Sequence, residues 1–316
     1  AVARSAGKAA AGRPGGGAKS LTVGGAGSGT KATKDDGSAG TSLVSTEKGS
    51  SHRSHAQDTD VAEDPSPQYS LDERTDRPVK CADGSTYTGQ WRGSVFHGEG
   101  KLELVDGAVY EGQFQNGFKH GVAKYTYANG AVFEGEYAQD VKHGNGRLTC
   151  TTSTALAEVS SYEGQWLNDL QDGHGIERWG DGSVFTGTFQ TGRKHGHGKF
   201  MWSEGCMYEG QFEGNNMHGD GRYVWADGRH YHGLWENNHM HGRGMMRWPD
   251  SRIYEGDFKF GKKHGDGTLT WPDGRSYEGQ WVDGRQEGIG TVTTSKGMSR
   301  KGYWRAGKFE RWVADV

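Results

Sequence analysis

Along most of the chain, aromatic residues and glycine alternate with polar residues in short bursts. An aromatic-x-Gly-x-aromatic pentad opens at Tyr87, Tyr110, Phe133, Tyr162, Phe185, Tyr208, Tyr231, Tyr254 and Tyr277. Successive side chains of a strand point to opposite faces, so both rings and the glycine share one face. The two intervening residues, Glu111 and Gln113 for example, take the other. A glycine between two rings leaves a floor on which neighbouring rings lie, and each aromatic pair adds ~0.5–1.5 kcal/mol beyond area burial. The pentads recur every 23 residues, except that the step from Phe133 to Tyr162 is 29. That step places an insertion near residues 149–161. One further period reaches Arg300, where Gly302 and Trp304 persist but the first aromatic is lost.

A second register keeps phase with the first. His97, His120, His143, His195, His218, His241 and His264 each stand ten residues after an opening aromatic, and Asp172 and Glu287 take that place in the two other full copies. A glycine follows each of them. The G-x-x-H-G segment supplies the glycine that positive φ requires, which predicts a hairpin turn there. The stretch beyond it, such as GKFMW at 198–202, predicts a returning strand. Asn129-Gly130, Asp181-Gly182, Asp227-Gly228 and Asp273-Gly274 predict a second tight turn closing each unit.

The expected fold is therefore all-β: an elongated single-layer antiparallel β-hairpin solenoid of about ten 23-residue repeats. At ~4.8 Å per strand it extends on the order of 95 Å. Each unit touches only its neighbours, and the ends require caps. Phe309 and Trp312 in the degenerate last copy are the candidate C-terminal cap.

Composition divides the chain. The protein has 55 Gly in 316 residues, well above the usual ~7%, which disfavours a helical core. Tyr69 is the one aromatic before position 81. Residues 1–80 are rich in Gly, Ala, Ser and Thr and have too little apolar surface to offset ordering entropy. They are expected to form a disordered leader, residues 81–312 the repeat domain, and residues 313–316 a short tail. Residues 1–34 carry Arg4, Lys8, Arg13, Lys19, Lys31 and Lys34 and no acid. That balance fits a transit peptide, but the arginines lack amphipathic spacing and a low-complexity tail is the favoured reading. GGAGSGTK at 24–31 lacks the adjacent Gly-Lys of a phosphate loop. The formal net charge of −3 argues against a nucleic-acid partner. No apolar run approaches the ~20 residues of a spanning helix. Cys81, Cys150 and Cys206 form no CxxC pattern, which suits a reducing, cytoplasmic setting.

The unit, written Y-E-G-x-W/F-x-x-G-x-x-H-G-x-G-x-x-x-x-x-D-G, resembles the MORN (membrane occupation and recognition nexus) repeat across about residues 80–312. The resemblance implies a ladder of β-hairpins with no catalysis of its own. Members occur in cilia and flagella, at membrane–cytoskeleton junctions, and as segments of some lipid kinases and methyltransferases.

Three sets of side chains invite a chemical reading. His195/His197, His230/His232 and His239/His241 are H-x-H pairs, whose i, i+2 spacing on a strand suits a metal. The repeat phase already explains one member of two pairs, so the favoured role is to satisfy a turn carbonyl once per unit. No metal site is expected, and pH sensing by these histidines is a minor alternative. Glu111, Glu134, Glu163, Glu209, Glu255 and Glu278 form a third register. Successive carboxylates stand ~10 Å apart, at the far edge of hydrolytic spacing, and Thr88, Thr186 and His232 replace them in other copies. A solvated face with nearby Lys and Arg is the favoured reading. No catalytic residue and no cofactor is expected. Lys119, Lys142, Arg193, Lys194, Lys262 and Lys263 are expected along one basic edge, worth about 1 kcal/mol each near anionic headgroups. Each patch holds only one or two cations on a slightly acidic domain, and a general solvated edge is the favoured reading.

These features predict a non-enzymatic scaffold or adaptor. A groove for protein partners is expected along Tyr110, Phe114, Tyr162, Trp166, Phe185, Phe189, Tyr208, Phe212, Tyr231, Trp235, Tyr254, Phe258, Tyr277 and Trp281. By resemblance the setting is a cytoskeletal one, a cilium or flagellum, with a homodimer through one end as a further expectation. The alternatives are phosphoinositide or membrane-surface binding through the basic edge, with peripheral membrane association, and a regulatory segment of a phosphatidylinositol-phosphate kinase. The last is disfavoured because the repeats stop at Trp304.

Overall fold

The computed structural model describes residues 73–150 and 159–314. These form 21 strands of one sheet. It is an antiparallel meander in which each strand pairs with the one before and the one after it. The unit opening at Tyr110 is representative. Val109–Gln115 carries the pentad, Asn116-Gly117 turns the chain, and Phe118–Thr126 returns. The chain then rounds a five-residue loop to Val132–Ala138.

Both predicted turns are real, and both differ in detail. The hairpin turn is confined to the two residues after the pentad strand, and His120-Gly121 lies inside the returning strand at a register shift. An extra residue at such a bulge leaves one amide outside the ladder. In several units the residue three after the opening aromatic supplies the missing acceptor. Gln90 Oε1 accepts the Glu99 N–H at 2.6 Å, Gln165 Oε1 that of His174 at 2.7 Å, and Glu136 Oε1 that of Asn145 at 3.0 Å. At Gly121, φ is +60° and a Cβ would run into the Gln113 side chain, so only glycine serves. The D-G segments are not two-residue turns. In the loop after the first unit the Gly107 N–H donates to Leu104 O and the Leu104 N–H to Ala108 O, with Gly107 alone at positive φ. Asp106 Oδ1 caps the loop by accepting the Ala108 N–H at 2.9 Å.

A seam of glycines crosses the sheet. Gly89 pairs with Gly100, and Gly100 with Gly112, and this continues through Gly290 and Gly302, with Ala123 standing in once. The opening ring lies across the seam. A Cβ on Gly100 would come 2.6 Å from Cε2 and Cζ of Tyr87. Each opening ring meets the closing ring of its own unit and of the next. Tyr87 packs edge-on against Trp91 and Phe114 at centroid distances of 5.0 and 5.3 Å. Tyr277 meets Trp281 and Trp304 at 5.4 and 4.9 Å. The zigzag of edge-to-face pairs is continuous between these ends. Edge-to-face geometry sets the positive ring edge against the negative ring face, which favours this arrangement over flat stacking.

Two further bonds tie unit to unit. The second turn residue donates its N–H to the returning strand of the preceding unit, as Gly117 to Phe96 O and Gly284 to Lys263 O. Closing tryptophans donate Nε1–H backward, Trp166 to Gly146 O at 3.0 Å and Trp281 to Gly267 O at 3.0 Å.

Order begins earlier than position 81. The strand Glu73–Lys80 precedes the first unit and pairs with Thr86–Arg92, and Pro78 lies in this edge strand. An edge proline blocks further strand addition. The other edge is Lys308–Trp312, with Phe309 and Trp312 46% and 42% exposed. The leader reading for residues 1–72 and most of the insertion, residues 151–158, lie outside the described residues.

Candidate functional site

The rings expected to line a partner groove are interior. The residues from Tyr110 to Trp281 named for that groove are 0–5% exposed. They are consumed in packing one another across the glycine seam and present no open groove, which corrects that expectation. Burial pushes the phenols of Tyr110, Tyr162, Tyr208, Tyr231, Tyr254 and Tyr277 above their ordinary range. Each hydroxyl is nonetheless satisfied, because it donates to the carbonyl three residues on, as Tyr208 to Gln211 O at 2.8 Å.

The basic edge divides in two for the same period-2 reason. Arg193 and Lys262 are exposed, whereas Lys119, Lys142, Lys194 and Lys263 point inward onto the rings. This inward position is taken by Gln171, Met217, Met240 and Gln286 in other units. Lys194 is 1% exposed, bonded at 2.5 Å to Glu177, which is 0% exposed. Its Nζ lies 4.9 Å from the Trp179 ring centroid and 5.0 Å from that of Phe185. Gln171 Nε2 donates to Glu177 Oε1 at 3.3 Å. Lys142 is held by Asp169 at 3.2 Å and stands over Trp166. Desolvation pulls Lys119, Lys194 and Lys263 below the ordinary lysine range, Lys263 to about 8.

Three members of the histidine register act as acceptors. Asp172 Oδ2 accepts the Thr191 N–H at 3.0 Å and Glu287 Oε2 the Ala306 N–H at 2.7 Å, each in the hairpin turn of the next unit. His97 Nδ1 faces the Asn116 N–H in the same way at 3.4 Å. At these three positions the side chain meets a turn amide, not the turn carbonyl expected of it, whereas His218 and His241 stand 3.4 and 3.2 Å from Glu213 and Glu236. Among the described residues no group of three or more His, Cys, Asp or Glu is placed to hold a metal ion.

The glutamate register lies outward, and its first members stand in a cross-strand ladder of alternating charge. Glu111 sits between Lys101 and Lys124, and Glu134 between Lys124 and Arg147. Pairs such as Lys124–Glu134 at 3.8 Å and Lys199–Glu209 at 3.9 Å are exposed and contribute little.

Two surfaces escaped the sequence reading. The loop edge carries Trp179, Trp202, Trp225, Trp248 and Trp271 in one register. Arg229, Arg252 and Arg275 stand over three of these rings, each held by an Asp two residues earlier at 2.7–2.8 Å. The 23-residue spacing of these tryptophans was legible in the sequence but lies outside the pentad and histidine registers. The hairpin-turn edge exposes Val95, Phe118, Leu167, Leu170, Phe260 and Val282, between 39% and 66%. Phe260 is 66% exposed with φ +49°, a left-handed conformation that a bulky residue rarely adopts. Lys259 and Lys262 flank its turn, both exposed.

Comparison with known proteins gives one family. A model of the MORN repeat matches nine stretches: 87–109, 110–132, 133–154, 162–184, 185–207, 208–228, 231–251, 254–274 and 277–299. No curated protein matches the chain. Among solved structures, the TCP10 domain of Danio rerio CPAP in complex with a STIL peptide aligns over 76% of this chain and 99% of its own. Its identity is 10% and its TM-score 0.41. The G-box domain of the microcephaly protein CPAP aligns over 72% of this chain and 99% of its own, at 11% identity and TM-score 0.27. Likenesses of this strength carry no argument about this chain.

Proposed function

Because the chain belongs to the MORN repeat family, a family of repeat-built structural and binding proteins, we propose that it is a non-catalytic scaffold that engages protein partners in a cytoskeletal assembly, ciliary or flagellar. The observation that carries this reading is the row of exposed apolar side chains on the hairpin-turn edge. Val95, Phe118, Leu167 and Leu170 are 39–50% exposed, outside the closed ladder of rings. Successive units lie two strands apart, so these side chains recur at intervals of ~10 Å along a rigid sheet. Such a row offers a partner several shallow anchors in fixed register, with no need to open the interior ladder.

A second reading rests on Phe260. An exposed aromatic at a hairpin tip, flanked by Lys259 and Lys262, suits an anionic membrane surface. Detergent fractionation of the full chain in its own cells separates the two. The scaffold reading predicts retention in the detergent-resistant fraction and release by Phe118→Ser with Leu170→Ser. Release of the wild type by detergent, with salt-sensitive binding to vesicles containing anionic lipid, would replace it with the membrane reading.

A further inference from the structure

Lys263 differs from the other inward lysines in what surrounds its ammonium group. Its Nζ lies 4.1 Å from the ring centroid of Trp281, 5.3 Å from Tyr254 and 5.7 Å from Trp248. Lys142 reaches Asp169, and Lys194 reaches Glu177. Lys119, which lies over Tyr125 without an ion pair among the described residues, is still attracted by Asp140 and Asp169. Among the described residues no carboxylate lies within ion-pair distance of Lys263, and the acid nearest in sequence logic, Asp283, is taken by Lys262 at 3.6 Å. The charge acting on it is Arg252, of like sign. The rings attract the cation, but they also exclude the water and the acceptors that a cation needs. Burial and Arg252 together bring the amine down to about 8. The residue remains partly exposed.

We propose that Lys263 is a nucleophilic amine housed in this three-ring cage and a site of acylation by acyl thioesters. The neutral amine attacks the thioester carbonyl carbon. A C–N bond forms, the C–S bond breaks, and the departing thiolate takes the proton that the nitrogen sheds, leaving an amide and a thiol. The fold accommodates the product, because Met217, Met240 and Gln286 fill the equivalent place with uncharged side chains. Gln286 in the next unit presents there the same neutral carboxamide group that an acylated lysine would. The inference is independent of the scaffold reading.

The test is competitive labelling of the folded full chain with limiting acetyl-coenzyme A thioester near pH 7.4, followed by peptide mass mapping. Lys262 and Lys259, exposed neighbours on the same hairpin, are the internal standards. A shift of this size raises the free-amine fraction on the order of a hundredfold, and the lower basicity of the nitrogen together with its narrower access takes back part of that gain. Lys263 is therefore expected to label at least tenfold faster than Lys262, with a rate that levels off above about pH 8. Equal or slower labelling, or a rate that climbs through the ordinary lysine range, would overturn the proposal. Lys263→Gln is expected to fold with an unchanged or higher melting temperature and to lose the fast-labelled site. Should a fast-labelled site persist in that variant, the assignment to Lys263 is wrong.

Discussion

Lys194 and Lys263 occupy the same place in units three repeats apart, and their surroundings differ. Lys194 is sealed at 1% exposure with Glu177 at 2.5 Å, and Gln171 fills the remaining polar valence. Where Glu177 stands, other units carry Leu102, Leu148, Phe200 or Leu269, so this junction has exchanged an apolar contact for a buried pair. Lys263 has the aromatic cage and no acid. The ladder of rings and glycines is the same at both places. The comparison teaches that the backbone scaffold is set by the glycine seam, while the inward side chain after the turn is free to vary in charge. The cost is met by a partner in one case and by partial exposure in the other.

The largest effect belongs to the sealed pair. Glu177→Leu strands a buried ammonium and is expected to lower stability by about 3–5 kcal/mol, whereas Glu177→Leu with Lys194→Met should recover most or all of it. A denaturant double-mutant cycle reads this, and additive losses would mean that the pair is not a unit. Gly210→Val strikes the seam common to both junctions. Its new Cβ would stand 2.5 Å from Gly221 Cα and 2.6 Å from Asp220 O, and a loss of about 3 kcal/mol is expected on thermal or denaturant melting. An unchanged melting curve would contradict the face assignment. Lys263→Met is expected to act the other way, gaining about 1 kcal/mol near neutral pH by removing a poorly hydrated cation.

The pH dependence sharpens the same contrast. The folded chain releases the Lys263 proton near 8, below the ordinary lysine range, so the unfolded chain holds more protons in between. Stability should therefore rise with pH from about 8 to about 9, and the rise should shrink in Lys263→Met. Above that the buried tyrosines, raised in the folded chain and ionising near ~10 when unfolded, reverse the slope. A flat profile in the wild type would contradict the surroundings assigned to this amine.

Much of the fold was legible because a repeat multiplies weak signals. The pentad alternation placed Tyr87 and Trp91 on one face correctly, and the 23-residue period gave the meander. The turn was misplaced by a few residues because the glycine after His120 serves a bulge, which has the same positive φ as a turn. The groove expectation failed at a different level. Strand alternation says which residues share a face, but not whether that face closes on itself. Here Tyr110 meets both Phe114 and Tyr137, and the face is filled. The basic edge failed through parity: Arg193 and Lys194 are adjacent, so one must face out and the other in. The pairing of Glu177 with Lys194 joins two units through space, and no local pattern announces it.

The claim that the interior ladder is structural and the hairpin-turn edge makes the contacts is tested most directly by oxidative footprinting. The full chain would be labelled with hydroxyl radicals free in solution and within its detergent-resistant assembly, and side-chain oxidation compared by mass spectrometry. The account predicts that Phe118, Leu167 and Leu170 become protected on assembly while Tyr110, Tyr208 and Tyr277 are protected in both states. Contradiction would come from turn-edge residues that label equally in both states, or from interior rings that label when free and become protected on assembly.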